Sequence, residues 1–336
     1  MIKNLQNVIF KNILLEKEED GFFDLSKEGG NYMIVQKITH CTDSILTQEM
    51  ARIGLEDYGV VVTWYTNQNN KQSVVHSHPY HEIVLPISGS NVLYAFQGSL
   101  YTLHPGEMVF FPAEIYHSGR YTVTDIVSNR LVVQIGAEIW DYAIHASGLI
   151  NPDWQKNIVI LSADAVSALD LRGHLERMAQ IPWIKKAYQK TVLNCELMEL
   201  QLFINQLVEE QHTKSPSLTS ALISRAVEYI QKHYTESTLT VASLAENIFI
   251  SREHLSRAFK EYTMESIHGY INNLRMQHFR RDIAAGHSVL DACTNSGFAS
   301  YNSFLKSFRN LYGMTPTQYR TQLNSIEKRS LNTYNS

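Results

Sequence analysis

Apolar and polar positions change rhythm once along this 336-residue chain. Between about residues 30 and 143, short β-branched and aromatic runs (YGVVVTWYT, EIVLPISG, NVLYAFQG, SLYTL, EMVFFPA, RLVVQIG) alternate with Gly, Pro, Asn and Ser. Many short strands with frequent turn residues predict a β-sandwich or barrel. From about Ser162 the period becomes that of a helix. In KAYQKTVLNCELMELQLFINQLVEEQ the residues Leu193, Leu197, Leu200, Ile204 and Leu207 fall on one stripe, which serves either as intramolecular core or as a dimer seam. The stretch HTKSPSLTS is polar and carries a proline, as a domain linker does. The chain thus divides into a strand-rich part over residues 1–161, a helical dimerisation or connector segment over 162–212, and a linker over 213–220. A helical part over 221–323 and a polar tail over 324–336 complete it.

The helical part contains an internal repeat. LAENIFISREHLSRAFKEYTMESIHGY aligns with DACTNSGFASYNSFLKSFRNLYGMTPTQY, matching Ala245 to Ala292, Leu255 to Phe304, Phe259 to Phe308, Lys260 to Arg309 and Tyr270 to Tyr319. Each copy reads as a helix-turn-helix: a short helix with a small residue, a turn whose Ser251 or Ser300 can cap the next helix, then an amphipathic helix. With Leu255 and Phe259, or Phe304 and Phe308, turned inward, Arg252, Glu253, Ser256 and Arg257 lie outward in one copy. Tyr301, Asn302, Ser303, Lys306 and Arg309 are their counterparts in the other. Such side chains can read base edges in a major groove. SIHGYINNLRMQHFRRDIAAG, carrying Arg275, Arg280 and Arg281, predicts a single helix between the copies. At ~1.5 Å per residue it spans about 30 Å, close to the ~34 Å between successive major-groove turns.

Charge supports a polyanionic partner for this half. Residues 1–220 carry 16 Lys+Arg against 24 Asp+Glu, a balance of −8, whereas residues 221–336 carry 13 against 9, a balance of +4. The three cysteines, Cys41, Cys195 and Cys293, are too scattered for a disulfide framework or a Cys-based zinc site. MIKNLQNVIFKNILLEKEED lacks the pattern of a secretory signal, and no run of ~20 apolar residues predicts a membrane span. A cytoplasmic protein is expected.

VLDACTNSGFASYNSFLKSFRNLYGMTPTQYR resembles the signature of the AraC/XylS family of bacterial transcription regulators, and the resemblance covers residues 222–323. It implies two helix-turn-helix units joined by a long helix. Gly297-Phe298 would form the turn before the second recognition helix, and Gly313-Met314-Thr315-Pro316 would close that helix. Met264 stands where the first copy usually has glycine. If that position is left-handed, a side chain there costs on the order of 1 kcal/mol.

In the strand-rich part, HSHPYHE holds three histidines and a carboxylate in seven residues. The spacing His76-x-His78-x3-Glu82-x6-Gly89 resembles the first motif of the cupin β-barrels, and HPGEMVFFPAEIYH, with Pro105-Gly106-Glu107, Pro112 and His117, resembles the second. Asn70, in place of a first glycine, and the Pro112-x4-His117 spacing depart from that pattern. The resemblance implies that His76, His78, Glu82 and His117 converge inside a barrel. There they would either contact an effector or hold a divalent metal, to which imidazole and carboxylate are suited. His81 has the wrong strand parity to join them. Trp64 and Tyr94, with Tyr80, Phe96 and Tyr101, suggest stacking against a sugar.

The sequence therefore predicts an α+β chain of two domains, a cupin-like β-barrel followed by helices and an all-α double helix-turn-helix. The expected function is that of a non-enzymatic, sequence-specific regulator of transcription, an activator working with RNA polymerase. It would act as a homodimer on double-stranded DNA under control of a small effector, a sugar by preference, with no cofactor required. A metallo-cupin oxygenase or sugar isomerase with a helical appendage, and a metal-sensing regulator, are the alternatives.

Overall fold

Turn residues cut the first half into strands where the sequence places them. The computed structural model of the chain describes residues 33–38, 59–67, 73–123, 126–149, 152–216, 218–321 and 323. The opening stretch, Cys41, Asn70 and the polar tail lie outside the described residues. The strands are β1 (Met33–Ile38), β2 (Val60–Asn67), β3 (Tyr80–Ser88), β4 (Val92–Phe96), β5 (Ser99–Leu103), β6 (Met108–Phe111), β7 (His117–Tyr121), β8 (Ser128–Gly136), β9 (Val159–Leu161) and β10 (Leu218–Thr219).

These strands form two open sheets, in the orders β1-β2-β8-β3-β6-β9 and β10-β5-β4-β7. Among the described residues the expected closed cupin-like barrel is thus absent, and with it the cupin part of the fold and of the family resemblance. The physical reason lies in burial. A small barrel's wall alternates between inside and solvent, but β6 is buried at every position and β3 from Tyr80 to Pro86. Both faces of the larger sheet are covered. Val84, Val109, Phe111 and Val132 face the smaller sheet's Val92, Tyr94, Phe96, Tyr101, Leu103 and Tyr121. Ile83, Leu85, Met108, Phe110, Leu131 and Val133 face a layer of helices.

That layer comprises the helices Ala137–Ala146, Leu171–Met178 and Lys186–Glu209. The stripe Leu193, Leu197, Leu200, Ile204 and Leu207 is buried inside the chain, packed with Trp140 and Trp154 against the sheet. Each side chain of that size contributes on the order of 2 kcal/mol by leaving water. The linker stretch is also tied down. Lys214 pairs with the buried Glu107 carboxylate, and Leu218 and Thr219 extend the smaller sheet beside β5.

In the second half the helices Ala221–His233, Val241–Asn247 and Arg252–Thr263 enclose one core. Val289–Asn295 and Tyr301–Tyr312, with the helical residues 316–321, enclose another. The helix Ile267–Ala284 joins them. It gives Ile267, Tyr270, Ile271 and Leu274 to the first core and Met276, Phe279 and Ile283 to the second.

Candidate nucleic-acid interface and imidazole cluster

Both helix-turn-helix units are built by local capping. Ser251 accepts from the His254 N–H and Ser300 from the Ser303 N–H, so each second helix starts at the predicted serine. Leu255 and Phe259, and Phe304 and Phe308, are fully buried beneath these helices. Arg252, Glu253, Ser256 and Arg257 are exposed on the first helix, and Tyr301, Asn302, Ser303, Lys306 and Arg309 on the second. Met264 caps the first helix at φ +61°, the left-handed place that Gly313 fills in the second copy at φ +65°.

The arginines of the joining helix take other roles. Arg275 is buried and donates to the Tyr234 and Glu236 carbonyls at 2.7 and 2.8 Å, closing the end of the helix Ala221–His233. Arg280 reaches the Tyr319 hydroxyl, and Arg281 reaches Glu114 and the Tyr116 hydroxyl in the first half.

His76, His78 and His117 do converge. One nitrogen from each ring lies within 4.8 Å of one from each of the others, so the trio could hold a metal ion. The cluster bridges the sheets at one end, with Glu82 on β3 and His117 on β7. His78 Nε2 and His117 Nε2 stand 3.5 and 3.7 Å from the Glu82 oxygens, and Gln134 donates to the same carboxylate at 3.0 Å. The rings are fixed by stacking, His78 on Tyr80 and His117 on Phe111. Each Nδ1 meets a backbone carbonyl two residues away: His76 that of Val74 at 2.9 Å, His78 that of Tyr80 at 2.8 Å, His117 that of Ile115 at 3.0 Å. A carbonyl only accepts, so every Nδ1 carries a proton and a neutral ring keeps its lone pair on Nε2. The Nε2 atoms of His78 and His117 are buried without a hydrogen-bond partner.

The charge states fit. Burial first, and then the neighbouring His117 and His78, push the His76 imidazole down to about 3, leaving it neutral at physiological pH. Burial pushes the Glu82 carboxyl up, and positive charge at His117 and His78 pushes it further down, so Glu82 ionises when those two rings carry a second proton or a cation takes that proton's place. His81 points the other way, stacked on Phe110 and close to Trp140 in the helix-side core. Of the aromatic candidates, Tyr94 packs between the sheets and Trp64 against the helix-side core, so these two do not converge. The expected effector site inside a barrel is not present among the described residues, since the two sheets are open. A second group, His174, Glu196 and Glu199, could also hold an ion, but His174 and Arg177 already pair with Glu196.

Residues that sequence reasoning missed sit at the junction of the halves: Val75, Gln277 and Glu265. An apolar residue ahead of a strand and polar residues on or just before a helix carry no distinguishing signal.

Residues 244–322 match the family model of a helix-turn-helix domain, and residues 59–182 that of an AraC-like ligand binding domain. An uncharacterized HTH-type transcriptional regulator of Staphylococcus aureus (strain COL) is 29% identical over 133 residues, 37% of this chain and 18% of that protein. Regulatory protein PocR of Salmonella typhimurium is 27% identical over 139 residues, 40% of this chain and 46% of PocR. The matches thus span less than half of these relatives' lengths. Among solved structures, unsaturated fatty acid bound wild-type ToxT of Vibrio cholerae aligns over 78% of this chain and 94% of its own, with TM-score 0.36 and 15% identity. The C-terminal domain of AraT, a response regulator from Geobacillus stearothermophilus, aligns over 31% and 86%, with TM-score 0.30 and 29% identity. AraC-like ligand-binding and helix-turn-helix domains are therefore both present. The matched domains and named relatives are those of transcription regulators, not enzymes. No helix among the described residues is long and apolar enough to cross a membrane.

Proposed function

We propose that the protein is a sequence-specific regulator of transcription that sets two recognition helices into successive major-groove turns of double-stranded DNA. The observation that carries this reading is the pair of capped helices, each with a buried aromatic or aliphatic seam and an exposed polar face. Arg252, Glu253, Ser256 and Arg257 form the base-reading face of one; Tyr301, Asn302, Ser303, Lys306 and Arg309 form that of the other. The joining helix of 18 residues spans about 27 Å, which suits the ~34 Å repeat of the groove. A cytoplasmic homodimer that activates by meeting RNA polymerase completes the reading, on the strength of the family resemblance. A sugar effector does not enter it, because Trp64 and Tyr94 face different layers. The test is selection of a duplex from a random pool by the full chain, followed by gel shifts at increasing salt. Selection of a defined sequence, bound with steep salt dependence, supports the reading; absence of any preferred sequence refutes it.

For the signal, the reading is a divalent transition-metal cation held by His76, His78, His117 and Glu82. The supporting observation is the common Nδ1-protonated tautomer together with two buried, unpartnered Nε2 atoms. Imidazole with carboxylate suits zinc, iron or nickel. Titration with cobalt(II) should give a visible absorption band that zinc displaces and His117→Ala abolishes. Unchanged cobalt absorption in that variant would refute this site.

A further inference from the structure

The imidazole cluster and the DNA-binding half share one stretch of chain. Val75 inserts its side chain, 4% exposed, into the first helix-turn-helix core with Ile223, Leu244 and Phe259. Its carbonyl accepts from Gln277 Nε2 at 2.6 Å, and the Ser77 N–H donates to Gln277 Oε1 at 3.0 Å. Gln277 is buried on the joining helix. The Val75 N–H meets the carboxylate of Glu265, which lies just before that helix. Along the opposite edge, His76 exchanges both backbone hydrogen bonds with His117, at 3.0 and 2.9 Å. In extended chain, successive residues direct their backbone groups to opposite edges. His76 is therefore zipped to the strand that carries His117 while its two neighbours are clamped by one glutamine of the joining helix. A buried amide that satisfies both a carbonyl and an N–H ties the two halves tightly, because loss of either bond strands a buried polar group.

We infer that occupancy of the imidazole cluster by a divalent cation is coupled to docking of the joining helix, with Gln277 as the positioning residue that carries the coupling. The inference rests on the cation reading of that site. A cation that fixes His76 and His78 also fixes Val75 and Ser77 between and beside them, and so favours the arrangement in which Gln277 is bound. The coupling is reciprocal, so a DNA-binding half held in that arrangement strengthens cation binding. Arg257 and Lys306 remain exposed in this docked state, so the device acts on how the two helices are held.

The test is hydrogen–deuterium exchange of the full chain with and without zinc, alongside zinc affinity by competition. It compares wild type, Gln277→Leu, and Gln277→Glu, which keeps the size and the acceptor for Ser77 but loses the donor to Val75. In wild type, zinc should slow exchange over residues 267–284 by about fivefold or more, as well as around His78 and His117. In Gln277→Leu the slowing should be confined to the first half, and zinc should bind several-fold more weakly. Gln277→Glu should fall between, and it decides the matter if Gln277→Leu does not fold. Zinc binding in wild type with no change over 267–284 overturns the coupling and leaves the cation site standing. Equal slowing in all three proteins overturns Gln277 as the route. Failure of wild type to bind zinc overturns the cation reading and the inference with it.

Discussion

Two glycines flank the second recognition helix and differ in what surrounds them, which makes a paired substitution informative. Gly297, in the turn before the helix, has φ +83°, and a Cβ built there would lie 2.4 Å from the Thr235 oxygen and 2.5 Å from the Thr235 carbonyl carbon. Gly313, at the C-cap, has φ +65° with nothing within 4 Å of the same point. Gly313→Ala therefore incurs only the left-handed backbone term, about 1 kcal/mol. Gly297→Ala adds to that term a clash with main chain that cannot rotate away. Relieving it requires the helix end at Thr235 or the turn itself to move, and overpacking of this kind adds roughly 1–3 kcal/mol, for a total of about 3 kcal/mol. The assay is amide exchange within the helix Tyr301–Tyr312, which reports opening of this unit. At tenfold per 1.4 kcal/mol, Gly313→Ala should speed exchange about fivefold and Gly297→Ala about a hundredfold. Equal effects from the two substitutions would refute the packing argument for the turn.

Other outcomes follow from the same structure. Arg257→Ala should weaken binding to the selected duplex by ~1–3 kcal/mol and relax preference at one base position, as measured by gel shifts over a base-substitution series; a uniform loss across all sequences would assign Arg257 to a phosphate. Burial raises the Glu265 carboxyl to about 7 from its ordinary 4.5, so the folded chain holds a proton there that the unfolded chain releases. The resulting stability is fully present below pH 4.5 and is lost as the pH rises through 7. Relative to Glu265→Gln, wild type should lose about 2 kcal/mol between pH 5 and pH 8 in denaturant titrations, and parallel pH profiles would contradict the shift. Leu200, fully buried on the long helix, should lose ~2–5 kcal/mol on replacement by alanine; an unchanged melting temperature would place the stripe outside the core.

What could be read from the sequence was what is local. The strand runs, the serine caps at Ser251 and Ser300 and the duplicated seam of Leu255-Phe259 and Phe304-Phe308 all depend on residues a few positions apart. That Met264 stands at a glycine position was implied by the family resemblance, and the structure puts it at the left-handed place that Gly313 fills in the second copy. Whether the sheets close was not legible, because closure depends on which edges meet, and β7 and β9 end up in different sheets. The convergence of His76, His78, Glu82 and His117 was visible through motif spacing, whereas its setting, between sheets and against the joining helix, was not. Arg275 and Arg281 were legible only as arginines along the joining helix, and the structure spends them on the Tyr234 and Glu236 carbonyls and on Glu114. Gln277 had no signal at all: its partners are backbone atoms of Val75 and Ser77, some two hundred residues away.

If one chain sets two recognition helices on DNA, hydroxyl-radical footprinting of the full chain on its selected duplex will show both, with Arg257→Ala and Lys306→Ala run beside wild type. Two protected windows about one helical turn apart on one face of the duplex are expected, with each substitution weakening a different window. A single window, or loss of both windows together from either substitution, would contradict it.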